Sequence, residues 1–111
     1  MSEQKDVLPA AAVMQRRLKE ARLAAGFSQK QLGIEAGLDE FVASARVNRY
    51  EVGVHAPDYL MATRMAQVLQ VPVALLYCDS DEVARLLLAF HRAGRPARRK
   101  AMKALTASIG E

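Results

Sequence analysis

The side chains best suited to catalysis or metal binding are few and far apart in this chain. There are two histidines, His55 and His91, and one cysteine, Cys78. Neither histidine has a nucleophile and an orienting acid at a recognisable spacing, and a single cysteine cannot form an intrachain disulfide or a cysteine-based metal site. Glycine-rich phosphate loops do not occur. The sequence therefore predicts that the protein is not an enzyme and has no catalytic residues, metal site or cofactor.

Basic side chains offer a different chemistry. Sixteen lysines and arginines against twelve acidic residues give a formal net charge of +4. This balance favours polyanionic partners, because each phosphate neutralised by a lysine or arginine releases counterions. Many basic proteins bind no nucleic acid, however, so charge alone decides little. The densest basic run contains six residues and no acidic one: Arg92, Arg95, Arg98, Arg99, Lys100 and Lys103.

The composition favours an all-helical protein of one domain. A chain of 111 residues can bury one core but not two. Aromatic residues make up only 5% of it, whereas sheets are enriched in aromatic and β-branched residues. No window is apolar and long enough to span a membrane, and the N-terminus MSEQKD lacks a signal-peptide pattern. We therefore expect a cytoplasmic protein without a membrane partner.

Glycines and capping residues divide the first part of the chain into helices. Residues 1–8 are polar, and we expect them to be flexible. A first helix is predicted from Pro9 to the C-cap glycine Gly26. Ser28 is then a good N-cap for a short second helix, 29–36. Only two residues separate the first helix from this cap, so the two helices must turn sharply.

A third helix is predicted from Asp39 or Glu40 to Glu51, with Gly53 as its terminator. Asp58 should cap a fourth helix. Tyr59, Ala62, Met65, Ala66 and Leu69 mark the buried face of that helix.

A short fifth helix should span Pro72–Tyr77. Two more helices should form the tail, the first capped by Asp79 or Ser80 and ended by Gly94, and the second starting at Pro96.

The order of these elements resembles the Cro and phage-repressor type of helix-turn-helix domain, also called the xenobiotic-response-element family. The matching segments are LKEARLAAGFSQKQLGIEAG from Leu18, VNRYEVG from Val47, PD at Pro57 and MAQVLQVPVALL from Met65. The resemblance implies an all-α, five-helix lambda-repressor-like DNA-binding domain over residues 9–78. A two-helix C-terminal extension follows over residues 79–111.

The resemblance also implies where DNA would bind. In this family the second helix crosses the DNA backbone and the third enters the major groove. The residues carried over as DNA contacts are Ser28, Gln29, Lys30, Ser44, Ala45, Arg46, Asn48, Arg49 and His55. Arg46 and Arg49 are the leading base readers, because arginine can bond two acceptors of one guanine. His55 is either a phosphate contact or an ordinary loop histidine.

Arg22 and Glu51 match the family's structural pair, in which an arginine of the first helix fixes the end of the third. One departure from the family is the longer link before Val47, residues 38–46. It either extends the third helix at its N-terminal end, or lets Phe41 and Val42 pack back on the second helix while the acidic residues before them act as caps. We prefer the second arrangement, because acidic side chains in the groove would repel phosphates.

The tail has two amphipathic faces. Their apolar residues are Val83, Leu86, Leu87, Phe90, Met102, Leu105 and Ile109. These helices either cover the domain's own core or form a two-fold interface, since members of this family commonly read palindromes as dimers. The basic run is a solvated face, an additional phosphate contact or a site for an acidic protein partner.

The resemblance implies a sequence-specific transcriptional regulator of double-stranded DNA, most simply a repressor. The alternative is a protein-interaction module, such as the antitoxin of a toxin–antitoxin pair or an adaptor that does not bind DNA.

Overall fold

The computed structural model describes residues 10–110, and every regular element in that range is a helix. The helices are α1 (Ala10–Ala25), α2 (Gln29–Glu35), α3 (Ala43–Glu51), α4 (Tyr59–Leu69), a 3₁₀ helix (Val73–Tyr77), α5 (Asp81–Arg92) and α6 (Arg95–Ser108). This confirms the all-α class with five helices and two more in the tail. The expected flexible stretch 1–8 and the predicted start at Pro9 lie outside the described residues. None of the helices described is both long and apolar enough to cross a membrane.

The capping residues begin the helices where the sequence predicts. The Ser28 hydroxyl oxygen accepts the backbone N–H of Gln31 at 2.9 Å. Asp58 and Ser80 each accept the backbone N–H three positions later, at 2.8 and 3.2 Å. Gly26 follows α1 with a φ of +78°, a conformation that other residues rarely adopt. Short-range hydrogen bonds therefore explain the starts of α2, α4 and α5.

The start of the third helix differs from the prediction. It begins at Ala43, not at Asp39 or Glu40. The Asp39 carboxylate accepts the backbone N–H of Phe41 at 2.8 Å, and the Asp39 carbonyl accepts that of Val42 at 3.1 Å. These bonds close a turn in competition with a helix, as aspartate often does. Phe41 and Val42 are 88% and 42% exposed, so the expectation that they pack on α2 is wrong.

The core lies between α1, α2, α3, α4 and the 3₁₀ helix. Its fully buried large side chains are Met14, Leu18, Leu32, Val47, Met65 and Leu76. The predicted face of α4 is buried at Ala62, Met65, Ala66 and Leu69, whereas Tyr59 is 65% exposed. Tyr59 is the first residue of α4, so it lies at the end of that apolar stripe and not over the core.

Charged contacts join α5 to α1. Arg17 is 5% exposed, and its guanidinium donates to the Cys78 carbonyl at 2.7 Å and to the Asp81 carboxylate at 2.9 Å. Arg16 donates to the same carboxylate at 2.9 Å. These bonds from Arg17 and Arg16 lower the pKa of Asp81. Ala84 is the buried residue of α5, so this helix packs on the domain through one face.

Helix α6 packs far less. None of its residues is buried. Arg98 donates to the carbonyls of Phe90 and His91, both at 2.6 Å, and its guanidinium lies 5.1 Å from the centre of the Phe90 ring. One member of the basic run therefore holds the corner between α5 and α6.

Candidate nucleic-acid interface

Helix α3 has two distinct faces. Ala43, Val47, Tyr50 and Glu51 are buried. The outward residues are all exposed: Ser44, Ala45, Arg46, Asn48 and Arg49. Val47 and Tyr50 therefore point inward, whereas the two arginines carried over as base readers point outward. The burial of every third or fourth residue follows from the 3.6-residue period of a helix packed on one side.

The Arg22–Glu51 pair anchors the end of α3 to α1. Arg22 Nε lies 2.6 Å from Glu51 Oε2, and a terminal guanidinium nitrogen lies 3.0 Å from Oε1, so the contact is bidentate. Both residues are buried, and Arg22 also donates to the Phe27 carbonyl at 2.9 Å. The hydrogen bond with Glu51 raises the pKa of Arg22. The geometry matches the expected structural pair and fixes the direction of α3.

Gln29 joins the same network from α2. Its side-chain amide donates to Asn48 Oδ1 at 3.1 Å and to Glu51 Oε1 at 3.0 Å. An amide group carries two hydrogens, so both are used within the protein. Sequence reasoning treated Gln29 and Asn48 as separate DNA contacts, whereas the structure brings them together. Gln29 positions the outward face of α3, and its contact with a phosphate stays a prediction.

Arg46, Arg49 and His55 surround one open cleft. The cleft has a volume of about 450 Å³ and is lined by Arg46, Arg49, Tyr50, His55, Ala56, Asp58 and Met61. The backbone N–H groups of Val54 and His55 donate to the Arg49 carbonyl at 3.0 and 3.3 Å, which ties the loop to the end of α3. The predicted base readers and the predicted loop contact therefore belong to one surface.

Ser28 and Lys30 are exposed at the start of α2. The Ser28 oxygen accepts a backbone N–H, which leaves its own hydroxyl hydrogen able to donate. No group of three or more histidine, cysteine, aspartate or glutamate side chains within residues 10–110 is arranged to hold a metal ion.

Sequence reasoning assigned no role to Gly33. This residue is buried within α2, and a Cβ built on it would lie 2.8 Å from the Cβ of Ala43 at the start of α3. Glycine inside a helix is about 1 kcal/mol less favourable than alanine. Its presence in the middle of a predicted short helix was the available signal. Gly33 allows α2 and α3 to cross at close range.

Comparison with known proteins places this geometry in a family. A solved structure described as the transcriptional regulator BswR has a TM-score of 0.79 and 44% sequence identity, and the match covers 84% of this chain and 92% of that chain. That share is larger than the helix-turn-helix region alone, so the likeness extends into the flanking residues. The comparison with curated proteins found no match. The helix-turn-helix family model HTH_3 matches residues 18–76, more than half of the sequence. The chain therefore belongs to the HTH_3 helix-turn-helix family.

Proposed function

We propose that this protein is a sequence-specific DNA-binding transcriptional regulator that represses by occupying an operator as a homodimer. The outward face of α3 carries this proposal. Within residues 10–110, the side chains of Arg46 and Arg49 make no hydrogen bond or ion pair, while buried contacts fix the helix that bears them. An α-helix with its side chains is about 10–12 Å across and fits a major groove about 12 Å wide.

Base reading is assigned first to Arg46 and then to Arg49. Each guanidinium can donate to O6 and N7 of one guanine. Ser44 and Asn48 are the next candidates, although the Asn48 oxygen already accepts a bond from Gln29. Ala45 is exposed on the same face and would offer only its methyl group.

Phosphate contacts are assigned to the residues around α3. Lys30 contributes an exposed charge, and Ser28 a hydroxyl donor. His55 lies beside both arginines in the cleft at the end of α3, which supports a backbone contact there. Such contacts position the protein on the duplex, whereas the base contacts specify the sequence.

The homodimer is assigned to residues 79–111, the C-terminal extension. Six large apolar side chains on α5, on α6 or just after α6 are between 37% and 69% exposed: Val83, Leu86, Phe90, Met102, Leu105 and Ile109. The buried Ala84 faces the domain, and α5 has a second apolar face that stays largely exposed, where Phe90 contacts only the Arg98 guanidinium among the described charged groups. A second copy would cover this surface through a self-complementary two-fold interface. A two-fold dimer matches a palindromic operator.

Repression requires no activity beyond occupying the operator.

A second candidate function is a protein-interaction role, for which the basic run is the specific observation. All of its members except Arg98, which is half-buried, are exposed, and none makes an ion pair within residues 10–110. These charges would suit an acidic protein partner, as in an antitoxin, or phosphates flanking the operator.

Selection of bound duplexes from a random pool tests the proposal. We expect a recurring palindrome, and binding to it should weaken steeply between low and moderate salt because counterions are released. A pool that shows no enrichment would contradict the DNA-binding role. Co-purification of an acidic protein by the full chain, lost when Arg95 and Arg99 are both changed to glutamate, would favour the second candidate.

A further inference from the structure

Phe41 is the most exposed large apolar side chain in the described range, at 88%. Single exposed apolar residues are common on protein surfaces, so exposure alone identifies nothing. The position of Phe41 is more informative. It directly precedes Val42, the N-cap of α3.

Hydrogen bonds hold Phe41 in place on both sides. The Asp39 carboxylate accepts the Phe41 backbone N–H at 2.8 Å, as part of a turn that also binds the N–H of Val42. The Val42 carbonyl then accepts the Arg46 N–H at 2.8 Å, in the first turn of α3. The aromatic residue is therefore attached directly to the helix that carries Arg46.

The close crossing of α2 and α3 adds rigidity to this attachment. Ala43, two residues after Phe41, is fully buried and leaves no room for a Cβ on Gly33. The turn therefore cannot move toward α2. A backbone held in one place before its partner arrives loses little conformational entropy on binding.

We propose that Phe41 is a specificity-determining residue that contacts the methyl group of a thymine in the major groove. This inference rests on the proposed DNA-binding function. The first residues of a recognition helix meet base edges, and thymine is the base that presents a methyl group in the major groove. Phenylalanine can contact that methyl but offers no hydrogen bond to other bases.

The charges around Phe41 disfavour a phosphate contact and weaken binding in the groove, so a favourable contact of this turn must come from the apolar ring. Asp39 and Glu40 are both exposed on the same turn, and two carboxylates repel phosphates. The Asp39 carboxylate is already engaged by the turn itself. An apolar ring between acidic residues can still contact a neutral methyl group, because that contact depends on excluded water and not on charge.

Deoxyuridine substitution tests the contact, because uracil lacks only the thymine methyl. Each thymine of the selected duplex is replaced in turn, and dissociation constants are measured by fluorescence anisotropy. We expect one position per half-site at which uracil weakens the unmodified protein about fourfold, the equivalent of one buried methyl. At that position, Phe41→Ala should bind the thymine and uracil duplexes equally. Phe41→Leu should keep part of the difference.

Glu40→Gln provides the matched control. It should strengthen binding to all duplexes by removing a like charge, while it keeps the difference between thymine and uracil. Phe41→Ala should melt close to the unmodified protein, since its side chain is exposed.

The inference is overturned if no uracil weakens the unmodified protein, or if the same uracil weakens Phe41→Ala equally. In both cases the selected duplex still binds, so the proposed function stands. If the unmodified protein prefers no duplex to a scrambled one, the proposed function fails and the contact fails with it.

Discussion

At the scale of single residues, burial separates arginines that look alike in the sequence. Arg17 and Arg22 are 5% and 8% exposed, and both bind carboxylates and backbone carbonyls. Arg46 and Arg49 are exposed, and their side chains have no partner within residues 10–110. A buried guanidinium needs partners for its charge. The first two arginines therefore stabilise the fold, while the second two are free to meet a ligand.

Removing one member of the Arg22–Glu51 pair should destabilise the protein more than replacing both. Glu51→Ala leaves a buried guanidinium without its carboxylate, and we expect a loss of about 3–5 kcal/mol in the free energy of unfolding. Replacing the pair by Arg22→Met and Glu51→Leu should recover much of this loss, because no charge is then left buried. Urea unfolding followed by circular dichroism measures both variants. A double variant no more stable than Glu51→Ala would contradict the expectation.

Arg46 and Lys30 should affect DNA binding in different ways. Arg46→Ala should weaken binding and relax the preference at one base pair by about 1–3 kcal/mol. Lys30→Ala should weaken binding to all sequences alike and reduce the salt slope by about one. Competition with duplexes that differ at single positions measures the base preference, and binding over a range of salt concentrations measures the slope. If Arg46→Ala and Arg49→Ala together leave the preferred duplex bound as before, the recognition face is wrongly assigned.

At the scale of elements, the helix ends set by hydrogen bonds between residues close in sequence were the most predictable. The N-caps Ser28 and Asp58 bind backbone groups three residues away, so a short window of sequence contains the whole interaction. The start of α3 was mispredicted because Asp39 can cap a helix or close a turn with the same atoms. The close crossing of α2 and α3 depends on Gly33 and involves residues from two helices, so a short window of sequence could not predict it.

Gly33→Ala should push α2 and α3 apart. The new Cβ would lie 2.8 Å from the Ala43 Cβ and close to the backbone of that residue. We expect a loss of about 1–3 kcal/mol in stability, typical of overpacking, although alanine is the better helix former. Adding Ala43→Gly should restore part of the stability and of the DNA affinity, because it removes the nearest atom. Thermal melts of the original protein and the two variants test the stability, and a Gly33→Ala protein as stable as the original would contradict the expectation.

Arg17 should matter more than Arg16 for holding α5, although both bind Asp81. Arg17 is buried, and Arg17→Ala leaves the Cys78 carbonyl without its side-chain donor, so we expect a loss of about 1–3 kcal/mol. The Arg16 side chain is 42% exposed, and Arg16→Ala should cost about 1 kcal/mol at most. Hydrogen exchange of α5 amides reports the local effect. Equal protection in the two variants would show that burial is not the deciding factor.

At the scale of the whole molecule, the C-terminal helix lies apart from the core. None of the residues of α6 is buried, and the apolar side chains Met102, Leu105 and Ile109, on α6 or just after it, are between 47% and 69% exposed. Removing apolar surface from water is favourable, so a second chain that covered these side chains would be stabilised by the contact. This exposed apolar face is the main physical support for the proposed dimer.

Leu105→Glu should separate the proposed dimer while leaving the monomer folded. Leu105 is 49% exposed on α6, so a glutamate there disturbs no buried contact of the single chain but would be buried between two copies. Sedimentation should give about twice the chain mass of 12.2 kDa for the original protein, and the mass of one chain for the variant. Leu23→Glu is the matched control, since Leu23 is 59% exposed on α1. An original protein that sediments as a monomer at micromolar concentration would contradict the proposal.

The sequence by itself determined the helical class, the helix-turn-helix order, most helix ends and the arginines on the outward face of α3. These features depend on local bonding and on helical period, which a linear pattern records. Only the tertiary structure decided that Gln29 is held by Asn48 and Glu51, that Gly33 sets the α2–α3 crossing, and that Phe41 is held exposed beside α3. Each of these depends on the distance between segments that are separate in the chain, and that distance is fixed only when the core packs.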